Sequence, residues 1–417
     1  MTRQSAPPRL PLPPRRSEIP SAGHGRRTSG TGSVLGAILD HGPVARSTVA
    51  RLTGLSPASV TGHVGRLLSR GLVRERAETT GPRGLGRPHV PVEIDTSRFL
   101  VAGAHLAVAH STVALMDLRG RVVAEDRRPH TGTHPRMVLD DLAARLPALT
   151  AAHAAGREVL ALGFATGHRV DPAAGVVVEH PHLGWRSVPV REILSAATGL
   201  PVHVDSHARA LARAEQMFGE VSTRRSTVLL FVGAVVDGAF ATAGEMHRGP
   251  RSGAGGVAHL PLGSGGSGDA EPCDCGRTGC LQSEVSERAV IRRAAAQGLY
   301  VSGFQELLDH AVAGEPRAVA LFRRRARLVG RAAALLLDIF DPECLVVVEP
   351  GAGRLPECLF DLREEVGLRS WVCDDPERTV VASSFTGSVL ATAGGAVALG
   401  ALYADPLRPW PALRAVS

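Results

Sequence analysis

The stretch that decides the fold is Cys273-Asp274-Cys275-Gly276-Arg277-Thr278-Gly279-Cys280, which follows His259 after one loop rich in glycine and serine. Half of the chain's six cysteines lie in it. Three thiolates and one imidazole can converge on a single tetrahedral ion, and the glycines allow the tight turns that this requires. We therefore predict a closed, structural Zn²⁺ site whose ligands are His259, Cys273, Cys275 and Cys280. The alternative is a set of buried free thiols or a disulfide bond.

Length and composition limit the class of protein. The chain has 417 residues, enough for about two to four domains. Hydrophobic residues make up 44% and charged residues 21%, which is typical of a soluble globular protein. No apolar run reaches the roughly 20 residues of a membrane span, and the first residues lack the apolar segment of a signal peptide. We expect a cytoplasmic protein with no membrane partner.

Positive charge is concentrated near the N-terminus. All 47 basic residues of the chain are arginines. Residues 1–98 hold 15 arginines and six acidic residues, a balance of +9, whereas the whole chain has +7, so the remaining residues carry −2. A basic first quarter in front of a near-neutral body predicts a nucleic-acid-binding module followed by a domain with another task.

The N-terminal quarter divides into a tail and a small domain. Residues 1–31 are rich in Pro, Arg, Ser and Gly without apolar periodicity, which predicts a disordered basic tail. Residues 32–96 show three helical patterns and two short strands. Ser56-Pro57 is typical of the start of the third helix, in which Val60, Val64, Leu67 and Leu68 form the apolar stripe. We predict a winged helix-turn-helix, with a small protein-binding helical bundle as the alternative.

The third helix of this domain is the predicted reader of the DNA major groove. Side chains away from its apolar stripe are candidates for base contacts, arginines beside them for phosphate contacts, and arginines of the wing for the minor groove or phosphate. A solvated helix face is the alternative for each. The base candidates are Ser59, Thr61 and His63, the phosphate candidates Arg46, Arg51 and Arg66, and the wing candidates Arg83 and Arg87.

Residues 99–405 form the predicted body. Apolar strand-like runs such as 100–104, 159–164, 227–232 and 344–348 alternate with helical stretches, the longest near 317–339. Such alternation predicts an α/β body with mixed sheets. At roughly 300 residues, we expect two lobes with a cleft between them.

Together these features resemble the ROK family (repressors, open reading frames and kinases), and its repressor branch in particular. The resemblance runs from Gly32 to Leu402 and rests on 255–259 followed by the cysteine segment, and on the helix-turn-helix followed by Gly86-Arg87-Pro88. It implies a two-lobed hexokinase/actin-like body that binds a sugar in its cleft. In kinase members that body also binds ATP.

The residues that the resemblance assigns to ATP differ from the kinase pattern. Kinase members have Asp-x-Gly-x-Thr after the first strand, where this chain has 105–109, His-Leu-Ala-Val-Ala. The second phosphate loop, expected at 233–238, has bulky residues in place of glycines, and a later Gly-Gly is replaced by Glu349-Pro350. Backbone N–H groups cannot approach phosphate closely around bulky side chains. We predict that kinase activity is lost and assign no catalytic residue.

The sugar site implied by the resemblance is altered as well. His207 replaces the Asp that accepts the sugar proton in kinases, and Gly256 and Gln282 replace two Glu residues. The pocket then recognises another ligand or none. Capping of the following helix is the alternative role of Asp205 and Ser206. The candidate ligand contacts are Ser206, His207, His259 and Gln282.

The leading hypothesis is a DNA-binding transcription regulator, expected to be a repressor that responds to a sugar or sugar derivative. One helix-turn-helix reads few bases, so we expect a homodimer or homotetramer on a two-fold symmetric operator. Three rivals stay open: a carbohydrate kinase using His207 as base, a ligand-independent regulator whose body only dimerises, and a zinc-responsive regulator. The effector, the operator and the regulated genes cannot be read from the sequence.

Overall fold

The N-terminal part of the chain folds into three helices and a two-stranded hairpin. The computed structural model describes residues 29–76, 90–219, 225–262, 271–385 and 387–410. The elements of this domain are α1 (Gly30–His41), α2 (Arg46–Thr53), α3 (Pro57–Ser69), β1 (Val73–Glu75) and β2 (Val92–Ile94). The strands pair antiparallel, with Val73 opposite Ile94. The predicted winged helix-turn-helix is confirmed, and its first helix begins two residues before the predicted boundary at 32.

Helix α3 begins and packs as its sequence predicts. Ser56 Oγ accepts a hydrogen bond from the first turn, and Pro57 occupies a position where its missing N–H has no cost. The apolar residues recur on one side of the helix, so the opposite side faces solvent. The buried or partly buried apolar side chains are Val60, Val64, Leu67 and Leu68.

The first lobe of the body is a mixed five-stranded sheet of order β10-β6-β3-β4-β5. β3 pairs antiparallel with β4 and parallel with β6, which confirms the predicted mixed sheet. Helices pack on both faces of this sheet. The elements are β3 (Phe99–Leu106), β4 (His110–Asp117), β5 (Val122–Pro129), α4 (Pro135–His153), β6 (Glu158–Thr166), α5 (Val190–Thr198), β10 (Val202–Ser206) and α6 (His207–Phe218).

A small antiparallel sheet covers one end of the first lobe. Its strands are β7 (Arg169–Asp171), β8 (Val176–His180) and β9 (Trp185–Val188), with a 3₁₀ turn at Pro181–Leu183. Trp185 is fully buried, and its Nε1 donates to the carbonyl oxygen of Thr133 at 2.6 Å. This anchor fixes the small sheet on the lobe.

The second lobe has a sheet of order β13-β12-β11-β14-β15. Its long helix α10 buries one side against the sheet and packs its other flank on α12. None of the helices in the described ranges is both long and apolar enough to cross a membrane. The elements are β11 (Thr227–Val232), β12 (Val236–Thr242), β13 (Glu245–Met246), α7 (Leu281–Val285), α8 (Glu287–Ala296), α9 (Phe304–Val312), α10 (Pro316–Phe340), β14 (Cys344–Val348), α11 (Pro350–Arg354), α12 (Pro356–Arg369), α13 (Pro376–Thr379) and β15 (Val380–Ala382). The last helix, α14 (Val389–Ala404), returns to the first lobe.

Helix α14 connects three parts of the molecule. It lies so close to the first sheet that a Cβ on Gly163 would come within 2.2 Å of the carbonyl oxygen of Gly394. Helix and sheet therefore meet backbone to backbone. α14 also packs on α6, and Leu402 and Tyr403 share a hydrophobic core with α1. Trp410 belongs to the same core, so ordered packing continues past the predicted end of the body at 405.

Candidate functional site

The exposed face of α3 carries most of the residues predicted to contact DNA. Ser59, Thr61 and Arg66 are exposed on it, and Arg51 is exposed near the end of α2. A helix presented in this way by a helix-turn-helix can enter a major groove. The structure thus keeps these four side chains accessible. The predicted wing contacts Arg83 and Arg87 lie outside the described residues.

Most of the predicted DNA contacts have hydrogen-bond partners within the domain: Ser59 Oγ lies 2.9 Å from Ser56 Oγ, and Thr61 Oγ1 donates to the Pro57 carbonyl oxygen at 2.9 Å. His63 Nδ1 lies 2.7 Å from Thr31 Oγ1 and 2.8 Å from Arg66 Nη2. Burial and the charge of Arg66 lower the pKa of His63, so the imidazole is neutral at pH 7 and links α1 to α3. Arg46 forms an ion pair with Glu75 at 2.6 Å. The side chains of His63 and Arg46 therefore already have partners within the domain, and their contact with DNA stays a prediction.

The four predicted zinc ligands converge within the described residues 259–262 and 271–280, which we call the metal loop. His259 Nδ1 lies 3.5 Å from Cys273 Sγ, and Cys275 Sγ lies 3.6 Å from Cys280 Sγ. All four donor atoms lie within 4.8 Å of one another. A tetrahedral ion with Zn–S bonds of about 2.3 Å and a Zn–N bond of about 2.0 Å separates two sulfurs by about 3.8 Å and nitrogen from sulfur by about 3.6 Å. The donors therefore fit zinc.

The same geometry argues against a disulfide bond. The 3.6 Å between Cys275 and Cys280 far exceeds an S–S bond of about 2.05 Å, and all six cysteines are free thiols. The backbone N–H of Arg277 lowers the pKa of Cys275 to about 7, which favours the thiolate that binds metals. Burial raises the pKa of Cys280 to about 12, so this thiol needs a cation to lose its proton.

Gln282 joins the metal loop to the second lobe. Its backbone N–H donates to the carbonyl oxygen of Ala258, which precedes the predicted metal ligand His259. Its side chain spans the β11–β12 turn, where Nε2 donates to the Ala234 oxygen at 2.8 Å and Oε1 accepts from the Val236 N–H at 2.7 Å. Because backbone groups bind both polar atoms and Gln282 does not line the cavity, its side chain links the metal loop to the second lobe, and its contact with a ligand stays a prediction.

A cavity of about 570 Å³ lies in the cleft between the two lobes. The end of β3 and the following turn form one wall, and the β11–β12 turn, the end of β14, α9 and α11 form the other. Such a volume suits a small-molecule ligand. The charged lining residues are Glu125, Arg127, Glu287, Glu349 and Arg354.

His207 lies on the wall of the cleft, at the first residue of α6. Its Nε2 donates to Asp237 Oδ2 at 3.0 Å, and its Nδ1 lies 3.4 Å from His105 Nε2. Burial raises the pKa of Asp237, but the hydrogen bond from His207 outweighs this and the pKa lies below its ordinary value. An imidazole held by a carboxylate in this way can bind a polar ligand group or take up a proton.

Ser206 and His259 do not line the cavity. Ser206 is buried, and its Oγ accepts from the Arg209 N–H at 3.3 Å, which is the helix cap that the sequence left as the alternative. His259 is exposed, and its Nδ1 faces Cys273. Of the four predicted ligand contacts, His207 is the one that reaches the cavity.

Other groups occupy the positions that the family resemblance assigns to phosphate. The turn 107–109 after β3 is apolar, and the next turn is short because β12 already begins at Val236. Glu349 follows β14 and pairs with Arg325, which is 1% exposed. Arg325 Nη2 also donates to the carbonyl oxygen of Val232 at 3.0 Å. A buried ion pair and apolar side chains therefore replace backbone amides open to a phosphate.

Three histidines beside the cleft were missed by the sequence analysis, and so was Asp237 as the partner of His207. We call His168, His180 and His182 the histidine cluster; their donor nitrogens lie within 4.8 Å of one another. The one local signal is the His180-Pro181-His182 spacing, since His168 lies 14 residues before His182, ahead of the neighbouring strand β7. Asp237 lies 30 residues from His207 and carries no motif.

Comparison with known proteins assigns the family. The model of the ROK family matches residues 101–402. The chain belongs to the ROK family. A second model, of the MarR family, matches residues 29–83, which include the helix-turn-helix of this ROK protein. The predicted family is therefore confirmed.

Curated relatives of this ROK protein carry names of regulators. A transcriptional regulator of Mycobacterium tuberculosis is 34% identical over 396 residues, 91% of this chain and 87% of the relative. The xylose repressor of Caldicellulosiruptor bescii is 27% identical over 81% of this chain and 87% of its own. The DNA-binding transcriptional dual regulator NagC of Escherichia coli is 26% identical over 76% of this chain and 78% of its own.

Solved structures show the same fold. A ROK family transcriptional regulator, a homologue of the E. coli Mlc protein, has a TM-score of 0.75 at 23% identity and covers 90% of this chain and 96% of its own. A ROK family glucokinase of Streptomyces griseus, in complex with glucose and AMPPNP, has a TM-score of 0.60 at 24% identity and covers 72% and 98%. Both carry the two-lobed body, which confirms the predicted fold class.

Proposed function

We propose that this chain is a DNA-binding transcription regulator that acts as a repressor. The observation that carries the proposal is the polar, exposed face of α3 on a domain that shares its core with the body. Ser59 and Thr61 are placed to contact bases, and Arg51 and Arg66 to contact phosphates. The regulator names of the curated relatives support this function.

Helix α14 gives a physical route from the cleft to the DNA-binding domain. His207, on the cavity wall, is the first residue of α6, and α6 packs on α14. α14 shares a core with α1, which in turn packs on α3. A ligand that favours one arrangement of the lobes would therefore change how two copies of α3 are spaced.

The ligand is a sugar or sugar derivative in this proposal. The cavity of about 570 Å³, with its charged lining and the His207–Asp237 pair, suits a polyhydroxylated molecule. The names of the xylose repressor and of the N-acetylglucosamine repressor support this class. Thermal shift against a panel of sugars and sugar phosphates tests it. If none shifts the melting temperature while DNA binding is intact, the body serves only for dimerisation.

We propose a homodimer that assembles through the second lobe. Ile339 of α10 and Leu368 of α12 are 65% and 75% exposed, and Trp371 is 72% exposed. The backbone N–H of Trp371 donates to Asp338 Oδ1 at 2.9 Å, which holds the indole at the end of α10. Large exposed apolar side chains at one place are typical of a subunit contact. Light scattering on Trp371→Glu should show monomers, and an unchanged mass would exclude this surface.

Kinase activity is absent in this proposal. A phosphate would meet the apolar turn 107–109 and the Glu349–Arg325 pair in place of open backbone amides. The rival is a carbohydrate kinase, favoured by one observation, the His207–Asp237 pair that resembles an oriented general base. Sugar-dependent ATP turnover that is lost in His207→Ala would establish that rival.

DNA binding is tested by selecting bound fragments from the source genome and measuring affinity by fluorescence anisotropy. Arg66→Ala should weaken binding about tenfold and reduce the salt dependence by roughly one counterion. Arg136→Ala, an exposed arginine on α4 of the body, is the matched control and should bind as the wild type does. Binding without sequence preference, or equal losses in both variants, would contradict the proposal.

A further inference from the structure

Three histidine side chains lie close together beside the cleft. His168 lies before β7, His180 ends β8 and His182 lies in the 3₁₀ turn. His168 Nε2 is 3.0 Å from His182 Nδ1, and the ring centroids of His168 and His180 are 4.7 Å apart. One donor nitrogen of each histidine lies within 4.8 Å of the others. Nitrogens bound to one tetrahedral ion at about 2.0–2.1 Å lie about 3.3–3.4 Å apart, so the 3.0 Å pair is close to this spacing and small side-chain shifts bring the third nitrogen into range.

The cluster contains a buried nitrogen with no partner. His180 is 1% exposed, and its Nδ1 has no hydrogen bond from any residue that the structure describes. Buried polar atoms are normally paired, so an unpaired one needs an explanation such as an ion. His168 also adopts a left-handed backbone conformation with φ of 62°, which is costly for a residue other than glycine.

The protonation and surroundings of the cluster suit a cation. Burial lowers the pKa of all three histidines, and to about 3 for His180, so each imidazole is neutral at pH 7, the form that binds metals. Asp237 Oδ2 accepts a hydrogen bond from the backbone N–H of His168 at 2.8 Å, so a negative charge lies beside the cluster. Burying a cation near a carboxylate is far less costly than burying it alone.

We propose that His168, His180 and His182 bind a divalent transition-metal ion of the class that prefers imidazole, such as Zn²⁺, Co²⁺ or Ni²⁺. Three protein ligands leave at least one coordination position open, as in metal sites that exchange a ligand. His180 and the neighbouring Gly167 line the cavity, so the open position is reached from the cleft. An oxygen atom of water or of a molecule in the cleft can occupy it.

This site is separate from the metal loop. The two share no ligand, and three of the four donors in the loop are thiolates, whereas the cluster offers imidazoles alone. Four ligands close the loop around its ion, whereas three leave the cluster open. The cluster should therefore lose its ion to a chelator before the loop does.

Cobalt titration of the full chain tests the proposal. Wild-type protein, its metal loop loaded with zinc, should bind one additional Co²⁺ per chain, with visible absorption but without the intense thiolate-to-cobalt bands of a cysteine site. His180→Ala and His182→Asn should weaken this binding at least tenfold. His153→Ala removes an exposed histidine of α4 and is the matched control, expected to bind as the wild type does.

Circular dichroism and the melting temperature show whether each variant is folded, and His182→Asn supplies a mild replacement if His180→Ala unfolds. Absence of an additional Co²⁺ in the wild type, or equal binding by folded His182→Asn, would overturn the proposal. No DNA is present in these titrations, so their failure leaves the proposed regulator function untouched, and failure of DNA binding leaves the metal site untouched.

Discussion

The metal loop and the histidine cluster offer similar donors but assemble them in different ways. Three donors of the loop lie within 273–280, so two tight turns bring them together. The cluster takes its donors from one end of the small sheet, where His168 precedes β7, His180 ends β8 and His182 lies in the turn before β9. Local spacing therefore reveals the first site in the sequence, whereas the second appears only in the folded chain.

The largest expected effect is on the metal loop. Cys275→Ser should lose the loop's zinc and lower the free energy of unfolding by about 5 kcal/mol, because zinc in a closed site contributes directly to folding. Elemental analysis and denaturant unfolding measure both quantities. Asp274→Asn, an exposed neighbour that is not a ligand, should keep about one tightly bound zinc per chain. A metal-free Cys275→Ser as stable as the wild type would show that the loop needs no ion.

A slightly smaller loss of stability is expected when the buried ion pair between Glu349 and Arg325, beside the cleft, is broken. Glu349→Ala removes the carboxylate that pairs with the buried Arg325 guanidinium, which typically costs about 3–5 kcal/mol. Urea unfolding measures the loss. The double variant Glu349→Leu/Arg325→Met removes both charges and should recover most of the stability. If the double variant is as unstable as the single one, packing and not charge explains the effect.

The sequence predicts those parts of the fold whose signals are local. The cap at Ser56 and the apolar spacing of α3 lie within one helix, so its exposed face could be predicted. His63 looked like a free base contact because its partner Thr31 lies 32 residues away on another helix. The same reason explains Arg46, whose acidic partner belongs to the wing.

In the candidate site, too, the features that could be predicted are those whose partners lie close together in the sequence. The four predicted zinc ligands follow from their spacing, whereas Gln282 was assigned to the ligand because its backbone partners at 234 and 236 belong to a distant turn. His207, assigned to the ligand by the family resemblance, lines the cavity, while Asp237 was missed since the fold alone brings it to the imidazole. Side chains whose partners lie far along the chain need the structure.

Substitution of Gln282 tests whether the metal loop and the β11–β12 turn of the cleft contribute to stability independently. Gln282→Leu leaves the Val236 N–H and the Ala234 carbonyl unpaired inside the second lobe, which should cost about 2 kcal/mol. Thermal unfolding measures the loss, and elemental analysis should still find the zinc. Loss of the metal as well would mean that the two regions form one unit. Gln305→Leu, which removes an amide from the exposed side of α9, is the control.

The smallest expected effect is a loss of stability at acid pH that is caused by His110 on the wall of the cleft. Burial and then the charge of Arg127 lower the pKa of His110 from 6.5 to about 4, and its Nε2 lacks a partner among the described residues. Between these values the unfolded chain binds a proton that the folded chain does not, so stability falls as the pH drops from 6.5 to 4. Allowing for partial exposure of the ring, the loss is about 1–2 kcal/mol. His110→Asn should remove that part of the acid sensitivity in urea unfolding at pH 7.5 and 4.5. The control His153→Asn, which replaces an exposed histidine, should keep the acid sensitivity of the wild type. An identical pH dependence in the wild type and both variants would mean that His110 contributes nothing to the acid sensitivity.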